Sequence, residues 1–191
     1  MTSPAVRPPV TEAEYLAMER AASAKHELWN GEVFAMTGGT LAHAALAANV
    51  ASALINAVAN RQCLVLSADA KVHVPLTRGF VYPDVSVVCG DTQTFDESHD
   101  VLLNPVLVVE VLSESTERFD RGDKFAGYRS IPSLVDYVLV SQVDRRIEVY
   151  TRQSTGGWLL QTYEDGDVVL PSLGATLGLD TIYRATALAS R

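Results

Sequence analysis

The sequence predicts an α/β protein, helices packed on a sheet, and three stretches carry that prediction. Pro105 to Leu112 is a near-continuous apolar run, the pattern of a central strand covered on both faces. Asn30-Gly31 lies between the strand-like runs His26–Trp29 and Glu32–Met36, which is the strongest short hairpin signal. Residues 41 to 60 hold nine alanines and no Asp, Glu, Lys or Arg, and small side chains let a helix approach a sheet closely.

The other elements follow in order. Thr11 and Glu14 form a capping-box pattern that starts a helix over about 12–24, with Tyr15, Met18 and Ala22 facing inward. A two-residue turn at Asn30-Gly31 sets Trp29 opposite Glu32 and Glu27 opposite Phe34. The alanine-rich helix carries an apolar side of Ala47, Val50, Leu54 and Val58, with His43 on that side. Strands are expected at Cys63–Leu66, Lys71–Val74 and Val81–Cys89, and then, past an acidic loop, at Pro105–Leu112. Ser115 or Thr116 can cap a helix over about 117–129 that Pro132 stops. Leu134–Val140, Arg146–Arg152 and Trp158–Tyr163 read as three more strands, and the tail as a short strand with loops or helix. Residues 1–10 read as a flexible lead-in, 11–185 as one domain and 186–191 as a loose end.

Fifteen Lys and Arg against 23 Asp and Glu give a net charge of -8. That excludes a nucleic-acid binder working by bulk positive charge, and any such partner must meet a local basic or metal-bearing patch. Residues 1–10 contain no apolar leader, so export is not expected. The stretch 41–60, with His43, Asn49, Ser52, Asn56 and Asn60, is too polar for lipid. Cys63 and Cys89 sit among apolar neighbours and read as small buried hydrophobes in a reducing cytoplasm.

Glu110 is the most informative residue. A carboxylate in a buried strand costs several kcal/mol or more unless it is paired or bound to a cation; a strand-end Glu reaching solvent or a salt bridge is the bland alternative. If strands 84–89 and 105–112 pair antiparallel with Cys89 near Pro105, facing residue numbers sum to 194 and Asp84 lies opposite Glu110. Two adjacent carboxylates at a sheet edge suit a hard divalent ion such as Mg²⁺. Asp120, Lys124 and Tyr128 recur at i, i+4, i+8 on one helix face, either a solvated face or a lysine beside the carboxylates. Arg118, Arg121 and Arg129 could meet phosphates. His43, in a first helical turn, is either a neutral imidazole near the site or a core histidine. Glu27 is either a third acidic group or a hairpin salt bridge, and Asp69 and His73 are weaker candidates.

Taken together, Glu27 to Glu32, His43, Pro83-Asp84, Val108 to Thr116 and Asp120 to Tyr128 form an ordered set. It resembles the Uma-type restriction endonucleases of the PD-(D/E)XK nuclease superfamily over about residues 10–185. The resemblance implies a restriction-endonuclease-like core, a central mixed β-sheet flanked by α-helices, with Asp84 and Glu110 as metal-binding carboxylates. The superfamily lysine position, two residues past the acid, is Leu112 here, and Lys124 matches the variant in which the lysine has moved to the next helix. The family's aspartate after the following strand is replaced by Ser141. The expectation is a metal-dependent endonuclease: Asp84, Glu110 and the Val111 backbone carbonyl hold Mg²⁺ or Mn²⁺, Lys124 is catalytic, and Glu27, His43, Asp120 and Tyr128 are accessory. The expected partner is DNA, bound weakly and metal-dependently by a cytoplasmic homodimer with no membrane contact. The alternatives are a non-catalytic binding or assembly protein, or a nuclease for RNA or branched nucleic acid.

Overall fold

A computed structural model describes residues 8–189. The first helix, α1 (Glu12–Ala21), begins at the expected capping box, with both reciprocal bonds between Thr11 and Glu14 in place. It stops three residues earlier than the sequence predicts because Ala22 is already extended, and its buried face is Tyr15, Leu16 and Glu19; Met18 and Ala22 face out. The chain ahead of α1 is tied down at Val10, whose N–H donates to Gly31 O at 2.8 Å, so the flexible lead-in does not extend to it; residues 1–7 of that lead-in lie outside the described residues. Strands β1 (His26–Trp29) and β2 (Glu32–Ala35) pair in the expected register, Trp29 opposite Glu32 and Glu27 opposite Phe34. Asn30 and Gly31 both take positive φ, as a hairpin turn matched to strand twist requires.

Helix α2 (Leu41–Ala57) is followed by β3 (Cys63–Ser67), β4 (Lys71–Val74), β5 (Gly79–Val81), β6 (Val85–Cys89), β7 (Val101–Leu102) and β8 (Leu107–Val111). The expected strand Val81–Cys89 is thus two strands in two sheets. Pro83 has no N–H to give a ladder, and the Tyr82 N–H goes instead to the Glu27 side chain at 2.9 Å. Next comes one continuous helical segment, α3, built of Glu117–Phe119, a π-helical turn over Asp120–Lys124, and Phe125–Tyr128. Its lead-in is braced by Ser113, whose Oγ accepts from Thr116 N–H, in place of the expected cap at Ser115 or Thr116. Strands β9 (Asp136–Val140), β10 (Ile147–Arg152) and β11 (Trp158–Tyr163) fall where expected. The tail forms a hairpin, β12 (Asp167–Leu170) and β13 (Ala175–Gly178), and a short helix, α4 (Leu179–Ile182). Turns continue through residue 189, where Leu188 packs on the core, so the loose end is shorter than predicted and its last two residues are outside the described set.

The central sheet has the order β11-β10-β9-β8-β6-β3, with β8 and β9 parallel and every other pair antiparallel, hence mixed. A smaller sheet has the order β2-β1-β5-β4-β7. On one face of the central sheet, Leu46, Val50 and Leu54 of α2 pack on Leu107, Val109 and Val111 of β8 and their neighbours. On the other, Trp29, Val72, Val74 and Tyr128, from the small sheet and α3, pack on Val88, Val108 and Leu112. Every residue of β8 is buried, and each fully buried Val or Leu contributes about 1.5–3 kcal/mol. Gly127 lets α3 come this close, because a Cβ there would meet Trp29 at 2.4 Å.

Cys63 and Cys89 form a disulfide, which corrects the reading of two reduced cysteines. They face each other across β3 and β6 with Cα atoms 4.0 Å apart, where side chains of an antiparallel pair approach most closely. The cytoplasmic expectation loses the support it drew from reduced thiols. Among the described residues, no helix is long and apolar enough to cross a membrane.

Candidate active site

Strands β6 and β8 pair with Val85 opposite Val109, Ser86 opposite Val108 and Val87 opposite Leu107, the predicted sum of 194 throughout. Asp84 therefore sits just before β6, level with Glu110 near the end of β8. Alternation along β8 sends Val109 and Val111 toward α2 and Glu110 toward α3 and the small sheet. The two carboxylates are linked through the backbone, since Val111 N–H donates to Asp84 Oδ2 at 2.7 Å.

Helix α3 delivers the countercharge. Lys124 Nζ lies 2.9 Å from Glu110 Oε1, 3.6 Å from Glu27 Oε1 and 3.7 Å from Asp120 Oδ1. Tyr128 donates its hydroxyl to the same Glu110 oxygen at 2.7 Å. Glu110 is 5% exposed, Lys124 6% and Asp120 3%, so the group is withdrawn from water. Tyr137 supports the π-helical turn by donating to the Asp120 carbonyl at 3.0 Å. Such turns insert a residue into a helix and recur at functional sites.

On the other flank, His43 Nε2 is 3.3 Å from Asp84 Oδ2. Thr40 caps α2 by accepting from His43 N–H, and Gly39 leaves room for the imidazole, because a Cβ there would fall 2.9 Å from Nδ1. The hydrogen bond to Asp84 raises His43 above the ordinary histidine value despite burial, helped by the Asp84 charge and a bond to the Val111 backbone. The helix end and the Asp84 carboxylate act on His43 in opposite senses, and the contact with a full charge is the stronger of the two.

Four carboxylates, Glu27, Asp84, Glu110 and Asp120, thus share one lysine and one histidine. Burial pushes Glu110 up to about 8 against the pull of Lys124, with Asp120 and Asp84 adding to the rise. Asp120 is raised too, mainly by burial. Burial works to lower Lys124, but Glu110, Glu27 and Asp120 outweigh it and hold the ammonium charged. The cluster carries more negative charge than its own cations balance.

Among the described residues, no three His, Cys, Asp or Glu side chains converge as a ready metal cage. Mg²⁺ needs less than that, since one or two carboxylates with waters and substrate oxygens complete its shell. The closest hydrogen bonds and ion pairs of Asp84 and Glu110 are made through Oδ2 and Oε1. Carboxylate oxygens are hard donors, and the donor set fits a divalent cation.

All seven side chains named from the sequence, Glu27, Asp84, Glu110, Lys124, His43, Asp120 and Tyr128, meet in one cluster, and the Val111 backbone borders it. The weaker candidates lie elsewhere: Asp69 pairs with Lys25, and His73 with Glu12. Arg121 is engaged by Glu117 and Glu148, and Arg129 stacks over Phe125. Ser141 accepts from Val143 and Asp144 N–H in a turn. Sequence reasoning missed Tyr82, which fixes Glu27, and Gln142, which donates to Leu112 O at 2.7 Å while accepting from Thr40 at 2.9 Å. The signal for Tyr82 was its place before Pro83, where a strand breaks off.

A mixed sheet with paired carboxylates at adjacent strand ends and a lysine over them places the protein in the restriction-endonuclease-like fold class. The profile of the Uma2 family, described as "Putative restriction endonuclease", matches residues 12–185, and this chain belongs to that family. Two uncharacterized proteins of Synechocystis sp. (strain ATCC 27184 / PCC 6803 / Kazusa) are similar to it. One is 36% identical over 94% of each chain, the other 34% identical over 79% of this chain and 85% of its own. The crystal structure of "a putative nuclease belonging to DUF820" from Anabaena variabilis ATCC 29413 shares the fold, with a TM-score of 0.74 at 16% identity over 92% of this chain and 98% of that one.

Proposed function

We infer that this protein is a Mg²⁺- or Mn²⁺-dependent endonuclease that hydrolyses DNA phosphodiester bonds. The observation that carries this reading is the surplus of carboxylate around Glu110: an acid raised first by burial and further by Asp120 and Asp84, with a single lysine in contact. Asp84, Glu110 and the Val111 carbonyl would hold the cation. When bound, it supplies Lewis acidity, lowering the pKa of a water and polarising the scissile phosphate.

The chain's own residues do the rest. Tyr128 fixes Glu110 Oε1, while His43 and the Val111 N–H fix Asp84 Oδ2, so the second oxygens are held in place by covalent geometry. Lys124 keeps its proton and offers positive charge where the phosphorane builds up negative charge. Glu27, held by the Tyr82 N–H, sits 3.6 Å from Lys124 and steers it. With a net charge of -8, binding to DNA is expected to be weak, salt-sensitive and dependent on the cation.

Plasmid cleavage with Mg²⁺ or Mn²⁺, set beside D84A and E110A, tests the reading. Cleavage by the parent and loss in both variants is expected; equal activity in all three proteins overturns it, and tight DNA binding in EDTA contradicts the charge argument.

A further inference from the structure

The last strand of the central sheet, β11, is an unprotected edge. Its six residues, Trp158-Leu-Leu-Gln-Thr-Tyr163, contain no charge and no proline, and Leu159 and Leu160 are 49% and 47% exposed. Sheet edges are ordinarily blunted by lysine, proline or a bulge, because unpaired N–H and C=O groups recruit another strand. We propose that β11 is the interface of a homodimer, pairing antiparallel with β11 of a second copy.

The ladder itself fixes the register. Gln153 N–H donates to Gly157 O, and Arg152 N–H to Val135 O. Bonding alternates along an antiparallel pair. Residues 157, 159, 161 and 163 therefore bond inward to β10, and Trp158, Leu160 and Thr162 point their N–H and C=O groups outward. A symmetric partner offers the same three residues. Pairing them places Leu160 on the two-fold axis against the partner's Leu160, and Trp158 against the partner's Thr162.

Charge selects this orientation and this occupant. Glu164 and Asp165 follow β11 directly. In the antiparallel register they extend past the partner's Gly156 and the partner's Thr155, whereas parallel pairing sets each against its own copy. A chain of charge -8 repels itself over most of its surface, and β11 offers a neutral edge that is complementary to itself and closes after two subunits.

The test is solution mass by light scattering on the full chain, with amide exchange as a second readout. The parent is expected at twice the chain mass, with Trp158, Leu160 and Thr162 amides protected. L160P removes only an outward donor and leaves the β10 ladder whole, so it is expected at the monomer mass; L160K, which sets two ammonium groups together on the axis, gives the same result if the proline variant fails to fold. V65P, on the outward side of the opposite edge strand β3, is expected to stay dimeric. A monomeric parent, or dimers that survive L160K and dissociate in V65P, overturns the proposal.

Discussion

Two buried glutamates, Glu19 and Glu110, occupy the same molecule in opposite ways. Glu19 accepts from His26 N–H at 2.9 Å and from the Tyr82 hydroxyl at 2.8 Å, with His26 Nδ1 at 3.0 Å from its other oxygen. Every group around it is a donor, and the carboxylate is satisfied where it stands. Glu110 has two donors, Lys124 and Tyr128, but shares the lysine with Glu27 and Asp120 and faces Asp84. Burial alone does not distinguish a structural acid from a functional one; the balance of charge around it does.

The largest effect that tests this contrast is on cleavage. E110Q is expected to lower metal-dependent cleavage by at least about a thousandfold, since it removes a ligand charge from the reaction centre. E19Q is expected to retain cleavage and to lose about 1–3 kcal/mol of stability in denaturant titration, because its donors lose a charged acceptor. Equal loss of cleavage in both variants would erase the distinction.

K124M comes next, with cleavage down by about 10²–10³-fold, the usual cost of one transition-state charge contact. It also leaves three carboxylates without their lysine, so its melting temperature falls in EDTA and recovers with Mn²⁺, a recovery that E19Q does not show. Y128F is milder, costing about 1 kcal/mol of stability for one hydrogen bond, and cleavage falls through kcat with KM unchanged.

The smallest signature is in pH. Glu110 holds its proton in the folded protein up to about 8, against 4.5 for an ordinary glutamate. Between those values the folded state binds more protons than the unfolded one, so unfolding free energy falls as pH rises through the window. Urea titrations of the metal-free protein are expected to show that fall, and E110Q to flatten it. A slope unchanged by E110Q would place the proton elsewhere.

Much of the site was legible because its logic is local and periodic. The apolar run around Glu110 has one charge in it, and counting residues across β6 and β8 gave Asp84 as its neighbour, the register the strands adopt. The hairpin turn and capping box likewise rest on two to four adjacent residues. What was not legible depends on partners distant in the chain. Pro83 marks a break within Val81–Cys89, but which sheet each half joins depends on strands elsewhere in the chain. The Cys63–Cys89 bond becomes visible only once β3 and β6 are known to pair. The π-helical turn at Asp120–Lys124 answers to the packing of Tyr137 beneath it, and the upward shift of His43 to Asp84, which is 41 residues away.

Tyr82-Pro83-Asp84 is the bridge by which the chain leaves the small sheet and enters the central one. Its three residues serve three masters: Tyr82 reaches back to Glu19 and Glu27, Pro83 forces the crossing, and Asp84 is handed to the site. A molecule whose small sheet has come away keeps its central strands, and Asp84 keeps Val111 and His43, but Lys124 has lost its companion Glu27. The cluster is therefore whole only when both sheets are in place, because one of its four acids belongs to the small sheet and the others do not.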